Sequence, residues 1–144
     1  MLAINIIGTA QDAGYPQIGC KEKCCTPALH NQSLARFPSC ISLVNSSTKK
    51  YWLFDVTPDI KKQVQMLDSY DCSLSGVFIT HAHIGHYMGL INFGLEVMNL
   101  DNIPVYVMPR MKSFLENNSI MNQLIDNNNI NLIELADQGH YSID

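Results

Sequence analysis

The run Val77-Phe78-Ile79-Thr80-His81-Ala82-His83-Ile84-Gly85-His86 constrains this chain more than any other. An apolar, largely β-branched stretch ends abruptly in three histidines within six positions, and a helix-like run from Tyr87 to Leu100 follows. A buried strand that stops and presents imidazoles from the turn before a helix sets metal ligands on a rigid scaffold. On a strand His81 and His83 point the same way, because side chains alternate with period two. His86, at the turn into the helix, can come back toward them. Imidazole is the commonest protein ligand for metals and suits both zinc and iron. A lone histidine is more often a surface or capping group, but three of the chain's five fall in this one window.

The rest of the chain is compatible with such a scaffold. Its 144 residues predict one domain, able to bury roughly two-thirds of the unfolded surface. With 47% hydrophobic and 15% charged residues it falls in the globular class, not the disordered one. A net charge of −4 gives no electrostatic reason to expect nucleic acid as a partner. No apolar run approaches a membrane span, so no membrane partner is expected. The opening Met1-Leu2-Ala3-Ile4-Asn5-Ile6-Ile7-Gly8 has no basic leader and reads as a first strand. Five cysteines, an odd number with three clustered, do not make a secreted disulfide framework, so a reducing cytoplasm is expected.

Those three cysteines form a second candidate site. Cys20, Cys24 and Cys25 lie within six positions among turn-forming residues, and thiolates so spaced can converge on a tetrahedral zinc. Three are one short of a closed site, so a fourth ligand must come from Cys40, His30 or a distant histidine. The alternative is that they are free thiols in a loop.

The remaining pattern alternates strands and helices and predicts an α/β layered domain. Ile41 to Asn45 and Tyr51 to Asp55 read as a hairpin, and Ile103 to Met108 and Ile130 to Leu135 as later strands. A helix is expected after Asp55, with Thr57 as its cap and Pro58 at its first position. Further helices are expected from Pro109 to Leu115 and from Ile120 to Ile125. The methionine-rich stripe of the helix expected after the histidines, with Met88, Ile91, Leu95 and Met98, reads as core packing.

The segment His81-Ala82-His83-Ile84-Gly85-His86, preceded by an apolar strand and a threonine, resembles the metallo-β-lactamase-fold signature His-x-His-x-Asp-His. In that family the first two histidines bind one metal, and the aspartate and last histidine bind a second. The match holds at His81, His83 and His86 and stops at Gly85, where the aspartate should stand. Glycine offers no ligand, which implies a one-metal site and removes a group that helps position the attacking water. The stretch from Gly8 to Cys20 resembles the opening of pyrroloquinoline quinone biosynthesis protein B and its relatives. The phosphodiesterase of the carbon–phosphorus lyase pathway has a comparable opening. In those families early cysteines hold a structural zinc, though at the spacing Cys-x-Cys-x-x-Cys. Leu53 to Ile60 looks like the family's second motif, implying that Asp55 orients a ligand; otherwise Asp55 is a helix-flanking carboxylate satisfied by backbone amides.

The resemblance implies an αββα sandwich, of which this chain supplies the first half: one mixed sheet with flanking helices. It implies a metal-dependent hydrolase cleaving an ester, phosphodiester or lactone-type bond in a small-molecule substrate, or a quinone-biosynthesis-like enzyme. Zinc, with iron or manganese as alternatives, would be held by His81, His83 and His86, with Asp55 and His86 serving the chemistry. Cys20, Cys24 and Cys25 would hold a separate, structural zinc apart from the active site. The competing reading is a degenerate, non-catalytic member that binds metal or a partner. A half-sandwich leaves an apolar sheet face bare, which predicts a homodimer or a completing chain.

Overall fold

The strands expected from alternation assemble in chain order. The structure, a computed structural model, describes residues 1–143. Strands β1 (Leu2–Gly8), β2 (Cys40–Asn45) and β3 (Lys50–Phe54) pair antiparallel. Strands β4 (Ser73–Phe78), β5 (Ile103–Val107) and β6 (Ile130–Glu134) then add in parallel, giving a six-stranded sheet in the order β1-β2-β3-β4-β5-β6. The helices are α1 (Thr26–His30), α2 (Ile60–Gln65), α3 (Ile84–Tyr87), α4 (Pro109–Glu116) and α5 (Ser119–Asp126).

Alternation sorts the side chains onto two unlike faces. Val44, Tyr51, Leu53, Val77, Val105 and Val107 are buried in the core with Ile60 of α2, Leu115 of α4 and Met121 and Leu124 of α5. The opposite face carries Leu2, Ile4, Ile6 and Ile41, which are 65%, 71%, 67% and 41% exposed. Cross-strand register continues this face through Phe54, Phe78 and Tyr106. Their rings stack in a row, with centroids 4.9 and 4.5 Å apart. The chain is thus an α/β half-sandwich: a mixed sheet with helices on one side and apolar side chains bare on the other, as the resemblance implied.

Three local expectations are corrected. The helix expected from Tyr87 to Leu100 is instead the short α3, a 3₁₀ segment Met88–Phe93, and a turn at Gly94. Its path is set by the loop after β3: Gly89 N donates to Val56 O at 2.9 Å, and a Cβ at Gly89 would collide with the Thr57 carbonyl. The histidines also do not ride on a strand, because β4 ends at Phe78. Two residues later the Asp55 carboxylate accepts from Thr80 N at 2.8 Å, which draws the backbone off the sheet ladder. Finally, α2 begins at Ile60, not at Pro58. Thr57 still accepts from Asp59 N at 3.1 Å, but its hydroxyl also donates to buried Gln63 at 2.6 Å.

Candidate metal centre

Parallel strands point their carboxyl ends to one edge, where ligands of open α/β sheets collect. Asp55 follows β3 there and the histidine segment follows β4. Asp55 is 6% exposed and adopts φ +67°, a left-handed backbone that aspartate tolerates better than most residues. Its amide donates to Phe78 O at 2.8 Å, locking the two strand ends together. Its carboxylate then becomes a hub. It accepts from Thr80 N at 2.8 Å and from the Thr80 hydroxyl at 2.9 Å, and its Oδ2 lies 2.7 Å from His86 Nδ1. The backbone on the far side is also tied, with Val56 N donating to His86 O at 2.8 Å.

The three imidazoles come together at this rim. The ring of His81 lies 4.0 Å from that of His86 and 4.5 Å from that of His83, centroid to centroid. His81 Nδ1 is engaged by the Thr80 hydroxyl at 2.9 Å, which leaves Nε2 as its outward nitrogen. His86 Nδ1 is engaged by Asp55, which likewise leaves Nε2. A carboxylate on one ring nitrogen fixes the tautomer and orientation of a histidine ligand, and Asp55 stands in that relation to His86.

One member of the cluster was not anticipated. Asp12 sits at the tip of a turn closed by Gly14 N donating to Gln11 O at 2.8 Å, with Gly14 at φ +72°. Two backbone bonds between Tyr15 and Arg36, both 2.8 Å, together with Ser39 N donating to Ala10 O, hold this loop over the histidines. Asp12 Oδ1 lies 3.0 Å from His86 Nε2, and Asp12 Oδ2 lies 3.4 Å from His83 Nδ1. His86, its side chain only 12% exposed, is thus held between two carboxylates. Both its nitrogens can donate only when the ring is protonated. Burial opposes that charge, yet the hydrogen bonds and charges of Asp55 and then Asp12 outweigh it and raise the pKa above the ordinary 6.5.

The donor set suits a metal ion. Three imidazoles with carboxylates are ligands for zinc, iron or manganese; the Thr80 contact on His81 leaves its Nε2, while His86 Nε2 is met by Asp12. The rings are in contact, but among the described residues they do not bring three ligand atoms within 4.8 Å of one another. His83, with its side chain 73% exposed, is the loosest of the three.

The cysteines do meet that spacing. One sulfur each from Cys20, Cys24 and Cys25 lies within 4.8 Å of the others, and the Cys24 and Cys25 sulfurs are 4.0 Å apart. The loop is bent by Gly19 at φ +74° and closed by Cys25 N donating to Glu22 O at 3.0 Å and by the Tyr15 hydroxyl donating to Cys24 O at 2.8 Å. Neither neighbour considered as fourth ligand joins the set. Cys40 is buried and its thiol donates to Asp55 O at 3.3 Å, beneath the other site; burial, with the Asp55 charge adding to it, pushes its pKa up to about 12. His30, at the end of α1, is exposed and stands outside the cluster.

Comparison with solved structures then identifies the architecture. Zinc-bound PqqB from Methylobacterium extorquens superposes on 94% of this chain with a TM-score of 0.79 at 21% identity. A diphosphatase of the PhnP family does so over 94% with a TM-score of 0.71 at 18% identity. This is part of a metallo-β-lactamase fold. Human tRNase Z, short form, superposes on 87% with a TM-score of 0.51 at 21% identity. At these identities the shared property is the fold. By sequence, the coenzyme PQQ synthesis protein B of Rhodopseudomonas palustris is 26% identical over 133 residues, covering 86% of this chain. No family model matches. The chain spans 41% of that curated relative and 50%, 51% and 39% of the three solved structures. Among the described residues no helix is long and apolar enough to cross a membrane.

Proposed function

We propose that this chain is the metal-holding half of a metal-dependent hydrolase acting on an ester, phosphodiester or lactone-type bond of a small molecule. The observation that carries the reading is the Asp55 hub. A buried carboxylate, bonded at once to Thr80 and to His86 Nδ1, turns His86 Nε2 outward beside the rings of His81 and His83. A capping aspartate needs no histidine partner. A surface histidine cluster needs no buried carboxylate behind it. In this reading His81, His83 and His86 hold the ion, Thr80 sets the orientation of His81, and Asp55 sets that of His86. When bound, zinc supplies Lewis acidity toward the substrate's carbonyl or phosphoryl oxygen and toward water. Cys20, Cys24 and Cys25 hold a separate structural ion whose fourth ligand comes from outside this set. The likeness to a zinc-bound protein supports zinc, with iron or manganese as alternatives. The likeness to a diphosphatase favours a phosphorus ester among the candidate bonds. Quinone-biosynthesis-like chemistry, which would favour iron, rests on the sequence relative.

The bare sheet face belongs to the same proposal. It is the face that a second sheet covers in an αββα sandwich, and a completing segment or a second copy of this chain would bury Leu2, Ile4, Ile6 and Ile41. Light scattering coupled to size exclusion is expected to show a dimer or larger species for the isolated chain, and a stable monomer overturns that part.

The runner-up is a non-catalytic metal-binding member, favoured by Gly85 at the position where the signature carries an aspartate. Protein loaded in turn with zinc, manganese and iron, assayed on generic phosphodiester and ester substrates, separates the two. Turnover lost in His81→Ala and kept in Cys24→Ala supports the hydrolase; no turnover with any metal leaves the binding module.

A further inference from the structure

The signature position that should carry an aspartate is Gly85, and the structure shows what fills its space. A Cβ built on Gly85 would lie 2.7 Å from the Cα and Cβ of Asp12 and 3.0 Å from its carboxyl carbon. The glycine is therefore no simple loss. A side chain there and the Gln11–Gly14 turn cannot both occupy this volume, and the turn has it. The turn also brings a carboxylate of the same chemical type as the missing one, delivered from 73 positions earlier in the chain. From the fold and the contacts together, we infer that Asp12 supplies to the histidine site the carboxylate ligand that position 85 lacks, with Gly85 kept bare to admit it.

Pairwise, Asp12 stands at ligand spacing from two imidazoles, although among the described residues no three of these groups bring ligand atoms within 4.8 Å of one another. Two ligands of one tetrahedral zinc, at bonds of about 2.0–2.1 Å, stand about 3.3 Å apart. Asp12 Oδ1 is 3.0 Å from His86 Nε2 and Oδ2 is 3.4 Å from His83 Nδ1, so each oxygen already stands at that separation from a different imidazole. His86 Nε2 is also the nitrogen left for an ion once Asp55 has taken Nδ1. The loop is no loose flap. Besides its bonds to Arg36, Phe37 and Ser39, it packs through Gly8 against Pro38 and Gln63, and Gln63 donates to Pro38 O at 2.9 Å from within the core. A carboxylate on such a support is preorganised for binding, as an ion site requires.

The inference rests on the proposed metal role of the histidines, and the test separates the two. Zinc is added to the full chain while long-range proton–nitrogen NMR follows Nε2 of His86, a signal that ions in the cysteine loop do not move. His81→Ala addresses the parent reading alone: a zinc response at His86 no weaker than in the unaltered chain would overturn the histidine site. Asp12→Asn keeps the shape and removes the charge, so the fold is expected to survive, which unchanged backbone amide signals far from the loop will verify. It is expected to weaken zinc at His86 by at least about tenfold. Gly85→Ala, which pushes on the Asp12 backbone, is expected to weaken it comparably, and the double variant to be little worse than either single one. Unaltered zinc affinity in Asp12→Asn, with His81→Ala still losing it, overturns the role of Asp12 while leaving the parent site standing. Independent, additive losses from the two single variants overturn the link between positions 12 and 85.

Discussion

The histidine rim and the cysteine loop solve the problem of gathering ligands in opposite ways. The rim is braced from behind. Asp55 ties the ends of β3 and β4 to Thr80 and His86 by bonds of 2.7–2.9 Å, in a setting only 6% exposed. Its outermost ring, His83, is nevertheless open to solvent. The cysteine loop is gathered in front, with three sulfurs already at ligand spacing, but Cys24 is exposed and little behind it is buried except Cys25 and Ala28. A site that must bind and release a substrate needs rigid orientation with an open approach. A structural site needs closure, and gains its rigidity from the ion itself. The difference in bracing therefore argues for different roles more strongly than ligand type does.

Alkaline pH offers the sharpest way to break this contrast, because it attacks the braced side from beneath. Cys40, whose thiol donates to Asp55 O, has its pKa pushed by burial from an ordinary 9.0 to about 12. Burial likewise raises Tyr51 from 10.0 to about 12. Both groups are neutral when protonated, and both release their protons more readily in the unfolded chain. The stabilisation is therefore complete below the unfolded-state values and is lost as pH climbs from about 9 toward 12. At full ionisation Cys40 alone is worth on the order of 4 kcal/mol, since each unit is worth about 1.4 kcal/mol. Urea midpoints at pH 8, 10 and 11 should fall steadily, and less steeply in Cys40→Ala. A flat profile would mean that the thiol beneath the rim is not buried as described.

Asp55→Ala comes next. It strands the Thr80 amide and hydroxyl and leaves His86 without its rear partner, at a cost of about 3 kcal/mol in unfolding free energy. Asp55→Asn should cost less, keeping some of these bonds and the tolerance for φ +67°. In metal analysis either change should reduce the metal bound at the histidines and spare that bound by the cysteines. Equal loss at both sites would show that the two are coupled and would dissolve the comparison.

The smallest effect belongs to the loop. Cys24→Ser in metal-free protein should shift the unfolding free energy by no more than about 0.5 kcal/mol, as for other exposed positions without special bonds. A thiol reagent near neutral pH should label Cys24 quickly in the native chain and Cys40 only after unfolding, with zinc slowing the Cys24 reaction. Rapid native labelling of Cys40 would remove the distinction between braced and unbraced thiols.

Much of this is legible in the sequence. Apolar runs bounded by turn-forming residues located most strands within a residue or two, because strands of a packed sheet are built from such runs. The three histidines and three cysteines announced themselves by density. The helix from Tyr87 to Leu100 was misread because its apolar spacing is helical, while the backbone there is pinned to the loop after β3 by Gly89, a tertiary contact. Asp12 was missed for the same kind of reason. It is an unremarkable acid in a glycine-flanked loop, and the one hint was the gap at Gly85, which says that something is absent but not what replaces it.

Local patterns thus determined most of the elements and the two ligand-rich segments, since each depends on neighbours in sequence, whereas the bare sheet face was implied only by the resemblance. The tertiary structure alone decided that Asp55 and Asp12, 31 and 74 positions before His86, close on its two ring nitrogens. Hydrogen bonds over such separations come from strand order and loop closure, and neither leaves a period in the chain.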